Sequence, residues 1–136
     1  MANLVQTEAN NILAASSGQA AYVPVVPPVL VALVTALGTA LAPGTEVANA
    51  GGSTYARQQI TFAAPAGGSI SSSNALTYAN MPACTVVGVD EYDSTPGTSN
   101  PPGPLRRWFG ALSTTKSMNA GDTFSISIGS YSKALS

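Results

Sequence analysis

The chain has 136 residues, five basic against six acidic side chains, a formal net charge of −1 and no histidine. That length fits one domain with a real core, and the sparse, scattered charge offers no positive surface for a phosphate backbone, so nucleic acid is not an expected partner. Charged residues make up 8% of the chain and hydrophobic ones 45%, which argues against disorder and predicts a surface wetted by hydroxyls and amides, with little charge repulsion to keep neighbouring proteins apart.

Leu4, Val5, Glu8, Ala9, Ile12 and Leu13 recur at helical spacing, with Asn3 as an expected cap and Ser16-Ser17-Gly18 as a stop. Residues 1–22 therefore read as a short N-terminal helix or arm, packed on its own domain or gripping a neighbour. Residues 23–136 read as a single β domain. Val23 to Leu41 is strongly apolar, but Pro24, Pro27, Pro28 and Gly38 interrupt it and no basic anchor flanks it, so no membrane span is expected. The first 45 residues hold no Lys or Arg, which does not fit a secretory signal. Synthesis in the cytoplasm is the corresponding expectation.

Pro28 to Thr35 is a short apolar run bounded by proline, as in a strand buried on both faces. After a loop of small residues, Tyr55 to Phe62 alternates Tyr55, Arg57, Gln59 and Thr61 against Ala56, Gln58, Ile60 and Phe62. Neither face is cleanly apolar, which places this strand near an edge or under a loop. A short strand is expected around Ile70, and others over Leu76 to Tyr78 and Thr85 to Val89. Single Cys84 lies in the apolar run PACTVVGV and reads as a buried thiol. Residues 94–104, STPGTSNPPGP, form a proline-rich loop. Strand character resumes around Trp108 and Phe109, Asn119-Ala120-Gly121-Asp122 makes a tight turn, and Thr123 to Ile128 alternates as a half-buried strand. Short strands punctuated by Gly and Pro turns predict a mainly β fold, an antiparallel β-sandwich or barrel with a short N-terminal helix or arm.

Little here carries chemistry. Without histidine the commonest general base is missing, and with one cysteine a zinc site is excluded. Gly51-Gly52-Ser53 and Gly67-Gly68-Ser69 do not join a strand to a helix and read as turns, not phosphate cradles. Neither Lys116 nor Lys133 is expected to serve a serine nucleophile as base. The chain is therefore read as no enzyme, with no cofactor. Asp90, Glu91 and Asp93 form its one carboxylate cluster, read as a solvated strand end with weak calcium binding as the alternative. Arg106-Arg107-Trp108-Phe109 lacks the wider basic groove that single strands need. On a regular strand Arg106 and Trp108 share one face and Arg107 and Phe109 the other, and a subunit interface is the favoured use of such residues.

The ordered series GTEV (Gly44 to Val47), GGSTYARQQITF (Gly51 to Phe62), AAPAGGSISSSNALTY, MPACTVVGVDEYD, WFGAL (Trp108 to Leu112) and MNAGDTFSI (Met118 to Ile126) resembles a family of small tailed-bacteriophage proteins commonly labelled tail fibre or minor structural proteins. The resemblance runs from Pro28 to the C-terminus. It implies a structural framework that includes Glu46, Tyr55, Arg57, Gly121 and Asp122; the polar row Tyr55, Gln59 and Thr61 on the Arg57 face, together with backbone carbonyls or Glu46, reads Arg57 as a strut. The chain departs from the family pattern in the apolar loop Leu37 to Pro43 and in the proline-rich excursion after Asp93. Because partner contacts vary in loops, Leu37, Leu41, Pro101, Pro102, Arg106 and Trp108 are the candidate interface. The expected function is a virion structural subunit, first a capsid-surface decoration protein and alternatively a tail fibre or baseplate component. Expected partners are the major capsid protein or tail components and copies of itself.

Overall fold

The computed structural model describes residues 2–135. Eleven elements follow one another: β1 (Asn3–Leu4), α1 (Gln6–Ser16), β2 (Val29–Ala36), β3 (Thr45–Glu46), β4 (Gln58–Ile60), β5 (Ser69–Ser71), β6 (Leu76–Tyr78), β7 (Cys84–Tyr92), β8 (Arg106–Met118), β9 (Phe124–Ile126) and β10 (Ser132–Ala134). The fold is mainly β, an antiparallel sandwich with one short helix near the N-terminus.

The main sheet runs β1-β8-β7-β2-β3, with β4 also paired to β2. Val31 to Val34 are buried because β2 lies between β7 on one side and β3 and β4 on the other, and because both of its faces are covered. Alternation sends Val31 and Leu33 into the core, where Leu76, Tyr78, Met81, Val86, Val89, Phe124 and Tyr131 join them. The opposing layer consists of two short ladders, β10 with β5 and β6 with β9. Aromatic rings bridge the core. Tyr55 stacks on Tyr78 at 6.0 Å and Tyr78 meets Phe124 at a tilt, also at 6.0 Å, while the Tyr78 hydroxyl donates to the Val31 carbonyl at 2.9 Å.

Several expected elements change in extent. Asn3 is not a helix cap: it pairs with Phe109 in β1, and Val5 precedes the helix without a side-chain cap. The helix ends as expected, with Gly18 at positive φ and its N–H on the Ala15 carbonyl. The alternating run from Tyr55 is strand only over β4, an edge strand on β2. Cys84 is half-buried at the start of β7, and burial pushes its thiol pKa up. β7 continues through Asp90, Glu91 and Tyr92, past its expected end, which puts two carboxylates where the sheet is covered.

Candidate functional site

The run Asp90 to Asp93 organises the molecule's electrostatics. Asp90, Glu91 and Asp93 are 1%, 2% and 0% exposed, so the expected solvated strand end is overturned. A carboxylate buried alone would be strongly disfavoured, and each of these has its own cation. Asp90 and Glu91, successive on the strand, face opposite ways, and Asp93, just past the end of β7, meets a different cation from either. Among the described residues no group of three or more His, Cys, Asp or Glu side chains is placed to hold a metal ion.

Asp90 faces the loop between β2 and β3. Its Oδ2 accepts the Gly44 N–H at 2.8 Å, and Arg106 Nη2 lies 2.8 Å from Oδ1, although out of line for a hydrogen bond. Arg106 Nη1 donates to the Thr39 and Ala42 carbonyls at 2.7 and 2.9 Å. The pair thus ties the apolar loop down onto the sheet. Gly38 permits this, since a Cβ there would collide with the Arg106 guanidinium and the Gly44 amide.

Glu91 points the other way, into the core. It accepts the Tyr131 hydroxyl at 2.9 Å and the Lys133 ammonium at 2.8 Å. Lys133 Nζ also sits 4.1 Å from the Phe62 ring centroid and 5.1 Å from that of Trp108, so aromatic faces supply what water would otherwise give it. Burial, then the neighbouring Glu91 charge, push the Tyr131 phenol well up.

Asp93 closes the third cluster. Arg107 donates to its Oδ2 through Nε at 3.0 Å and Nη2 at 2.8 Å, and through Nη1 to Glu8 of the helix. Tyr22 donates to the other Glu8 oxygen, and burial together with that bond pushes its phenol up to about 12. Arg107 Nη2 also reaches the Pro24 carbonyl at 3.2 Å. Glu8 is the one buried residue of α1, so a polar cluster rather than apolar burial fastens the N-terminal helix to its own domain. Asp93 Oδ1 meanwhile accepts the Thr95 and Leu105 amides at 3.0 and 2.9 Å, pinning both ends of the proline-rich loop. Burial alone would raise the Asp93 carboxyl; these amides, Arg107 and the Thr95 hydroxyl outweigh it and hold the pKa below its ordinary value.

Arg57 lies in a different setting. Its Nε and Nη2 donate to Glu46 Oε1 and Oε2 at 3.0 and 2.8 Å, and its guanidinium carbon sits 4.0 Å from the Tyr92 ring centroid. The reason for this arrangement is a gap in the sheet. β3 begins pairing with β2 at Val34 and β4 stops at Val31, leaving the buried Leu33 N–H between them. That N–H donates to the Tyr55 hydroxyl at 2.9 Å, which in turn donates to Glu46 Oε1 at 3.1 Å. Tyr55 thus plugs the gap, and Arg57 fixes the glutamate that orients the plug. Gly121 and Asp122 lie apart from this group in the turn after β8, where Asp122 Oδ2 accepts the Asn119 N–H at 2.8 Å and Gly121 adopts φ 90°.

The six candidate interface residues do not form one patch. Leu37 and Leu41 are 52% and 80% exposed, and Leu41 and Arg106 line the same shallow groove of about 250 Å³. Pro101 and Pro102 are exposed in the proline-rich loop. Trp108 is half-buried on the opposite face, beside Lys133 and Leu135. The expected sharing of a face by Arg106 and Trp108 fails because the ladder pairs Tyr92 with Arg106 but Glu91 with Trp108. Arg107 is the extra residue of a β-bulge, and a bulge resets the alternation. Arg106 therefore joins Phe109, 4.8 Å from its ring centroid.

Two Ser-x-x-Lys spacings do occur, Ser113 to Lys116 and Ser130 to Lys133. That spacing brings hydroxyl and amine together on a helical turn. Here Ser113 and Lys116 lie in a strand, and Lys133 is a cation held by Glu91.

Nine of the eleven charged side chains are thus paired within the chain, and apart from exposed Lys116 and Asp122 the exterior is left largely to hydroxyls, amides and isolated apolar groups. A family model described as Podophage GP4 fiber I protein gp80 matches residues 3–133. The chain belongs to this family. The match takes in the helix and the segment after it as well as the β domain, a longer span than the motifs from Pro28 onward. Comparison with curated proteins finds no match. The family is one of tailed-phage fibre and structural proteins. No helix of the described residues is long and apolar enough to cross a membrane.

Proposed function

We propose that the protein is a non-enzymatic subunit of the phage fibre, held in the particle by uncharged contacts through its loops. The observation that carries this reading is the fibre-family match over residues 3–133. The pattern of charge supports it, because a surface whose ions are already paired internally can be desolvated against a neighbour at little electrostatic cost. Leu37 and Leu41, held out on a loop that Asp90 and Arg106 anchor, are the apolar contacts we assign to the neighbour. Exposed Pro101 and Pro102 belong to the same proposal.

A capsid-surface decoration role is the second reading, favoured by one observation. The longest element, β8, has 13 residues, and among the described residues nothing resembles a fibre shaft. Imaging virions that carry a tagged copy separates the two: label confined to the tail supports the fibre subunit, whereas label spread over the head, with heat resistance lost when the protein is missing, supports decoration. Blocking of adsorption by the free protein would place the fibre subunit in contact with the host.

A further inference from the structure

Residues 6–26, the helix α1 and most of the segment that returns to β2, contribute nothing to the hydrophobic core. Apart from Glu8, no residue from Gln6 to Val26 is buried, so little apolar surface holds this strap to the sheet. Part of its bonding runs within it. Asn11 donates through Nδ2 to the Val23 carbonyl at 3.0 Å and accepts the Val23 N–H through Oδ1 at 2.8 Å, and Tyr22 donates to Glu8. The two ends are tied by main chain, with the Gln6 N–H on the Ala40 carbonyl at 2.9 Å and the Ser94 N–H on the Val26 carbonyl at 2.8 Å. Between those ends, among the described residues, one side chain makes every hydrogen bond from the β domain to the strap. Arg107 donates through Nη1 to Glu8 and to the Val23 carbonyl at 3.4 Å, and through Nη2 to the Pro24 carbonyl at 3.2 Å. Nε and the second Nη2 hydrogen go to Asp93, so all five donors of the guanidinium are used.

We propose that the strap is a flap clasped by Arg107: residues 6–26 lift from the sheet and close again as one unit while the β domain stays folded. The reason is a difference in what holds each part. β2 and β7 keep their places by burying apolar side chains, and separating them exposes that surface to water. Lifting the strap exposes little apolar surface and breaks a polar clasp whose groups water can rehydrate. An 11-residue helix is also too short to persist alone, so release from Arg107 melts α1 and breaks the Asn11 to Val23 pair in the same event. Both ends of the lifted strap stay anchored, one through β1 on β8 and the other through β2 on β7. Opening uncovers Arg107 and Asp93, which the closed molecule shields from water.

The test is native-state hydrogen exchange on the full chain, followed by NMR as urea is raised below the unfolding transition. The α1 amides from Ala9 onward and the Val23 amide are expected to exchange together, with one shared free energy and a small urea slope, ahead of the β2 and β7 amides. Glu8→Gln leaves Asp93 on Arg107 and should speed exchange of the α1 and Val23 amides by about tenfold or more, because the clasp loses its charged partner in the strap. Val86→Ala opens a cavity in the core, outside the strap. It should speed the β2 and β7 amides by about tenfold or more and leave the α1 and Val23 amides at wild-type rates. Strap amides that share the free energy and urea slope of β2 and β7, or that accelerate in Val86→Ala, show a strap that opens only with the whole molecule and overturn the proposal. Helix amides that exchange in graded order while Val23 keeps its protection, or strap amides unmoved by Glu8→Gln, overturn it as well.

Discussion

Arg107 and Arg57 are held by the same kinds of residue, a glutamate that also accepts a tyrosine hydroxyl, yet they do different work. Around Arg107 the side chains of Arg107, Glu8 and Asp93 are 5%, 3% and 0% exposed; those of Arg57 and Glu46 are 28% and 33% exposed. Desolvation is what separates them. In the buried cluster, loss of one partner strands charges that water cannot reach, so the helix, the segment after it and the proline-rich loop depend on every member. At the edge, water replaces whatever is removed, and Arg57 serves to orient Tyr55.

Four experiments probe this contrast. Arg107→Met leaves two carboxylates buried without a cation and should cost about 3–5 kcal/mol, read from the urea denaturation midpoint; a loss no larger than that of Arg57→Ala would erase the distinction. Acid is the second probe. Because the folded-state pKa of Asp93 is depressed, its contribution is complete above the ordinary aspartate pKa of about 3.9 and is lost as pH falls through the lower folded value. Denaturation midpoints should drop below about pH 4, more steeply for wild type than for Asp93→Asn.

Tyr55→Phe removes the plug over the Leu33 amide and should cost about 1–2 kcal/mol, with faster hydrogen exchange at that amide as the specific signature; unchanged protection there would mean that Tyr55 acts only through its ring. Arg57→Ala is expected to have the smallest effect, less than about 1 kcal/mol after solvent screening. If it leaves both stability and particle assembly at wild-type values, Arg57 is a surface charge and the strut reading fails.

The alternating strands, the glycine and proline turns and the end of the helix are local properties, and they were legible. Val31 to Val34 announced a central strand by being apolar without interruption, and Asn119 to Asp122 announced its turn. The fate of Asp90, Glu91 and Asp93 was not legible, because their partners come from elsewhere in the chain: Lys133 stands 42 residues from Glu91, and Arg107, which pairs with Asp93, also holds Glu8 from 99 residues away. A signal was present all the same. Three carboxylates continuing an apolar strand in a chain with so few cations ask where each finds its counter-charge.

By itself the sequence determined that this is an antiparallel β protein with a sparse complement of charge, no histidine and a family framework, since composition and short-range periodicity need no partner to be read. The tertiary structure decided which charges are internal, that the N-terminal helix is fastened to its own domain, and that the bulge at Arg107 puts Arg106 and Trp108 on opposite faces. The physical reason is that a charge can be buried only where a distant counter-charge meets it, and a single extra residue in a ladder reverses every side chain beyond it.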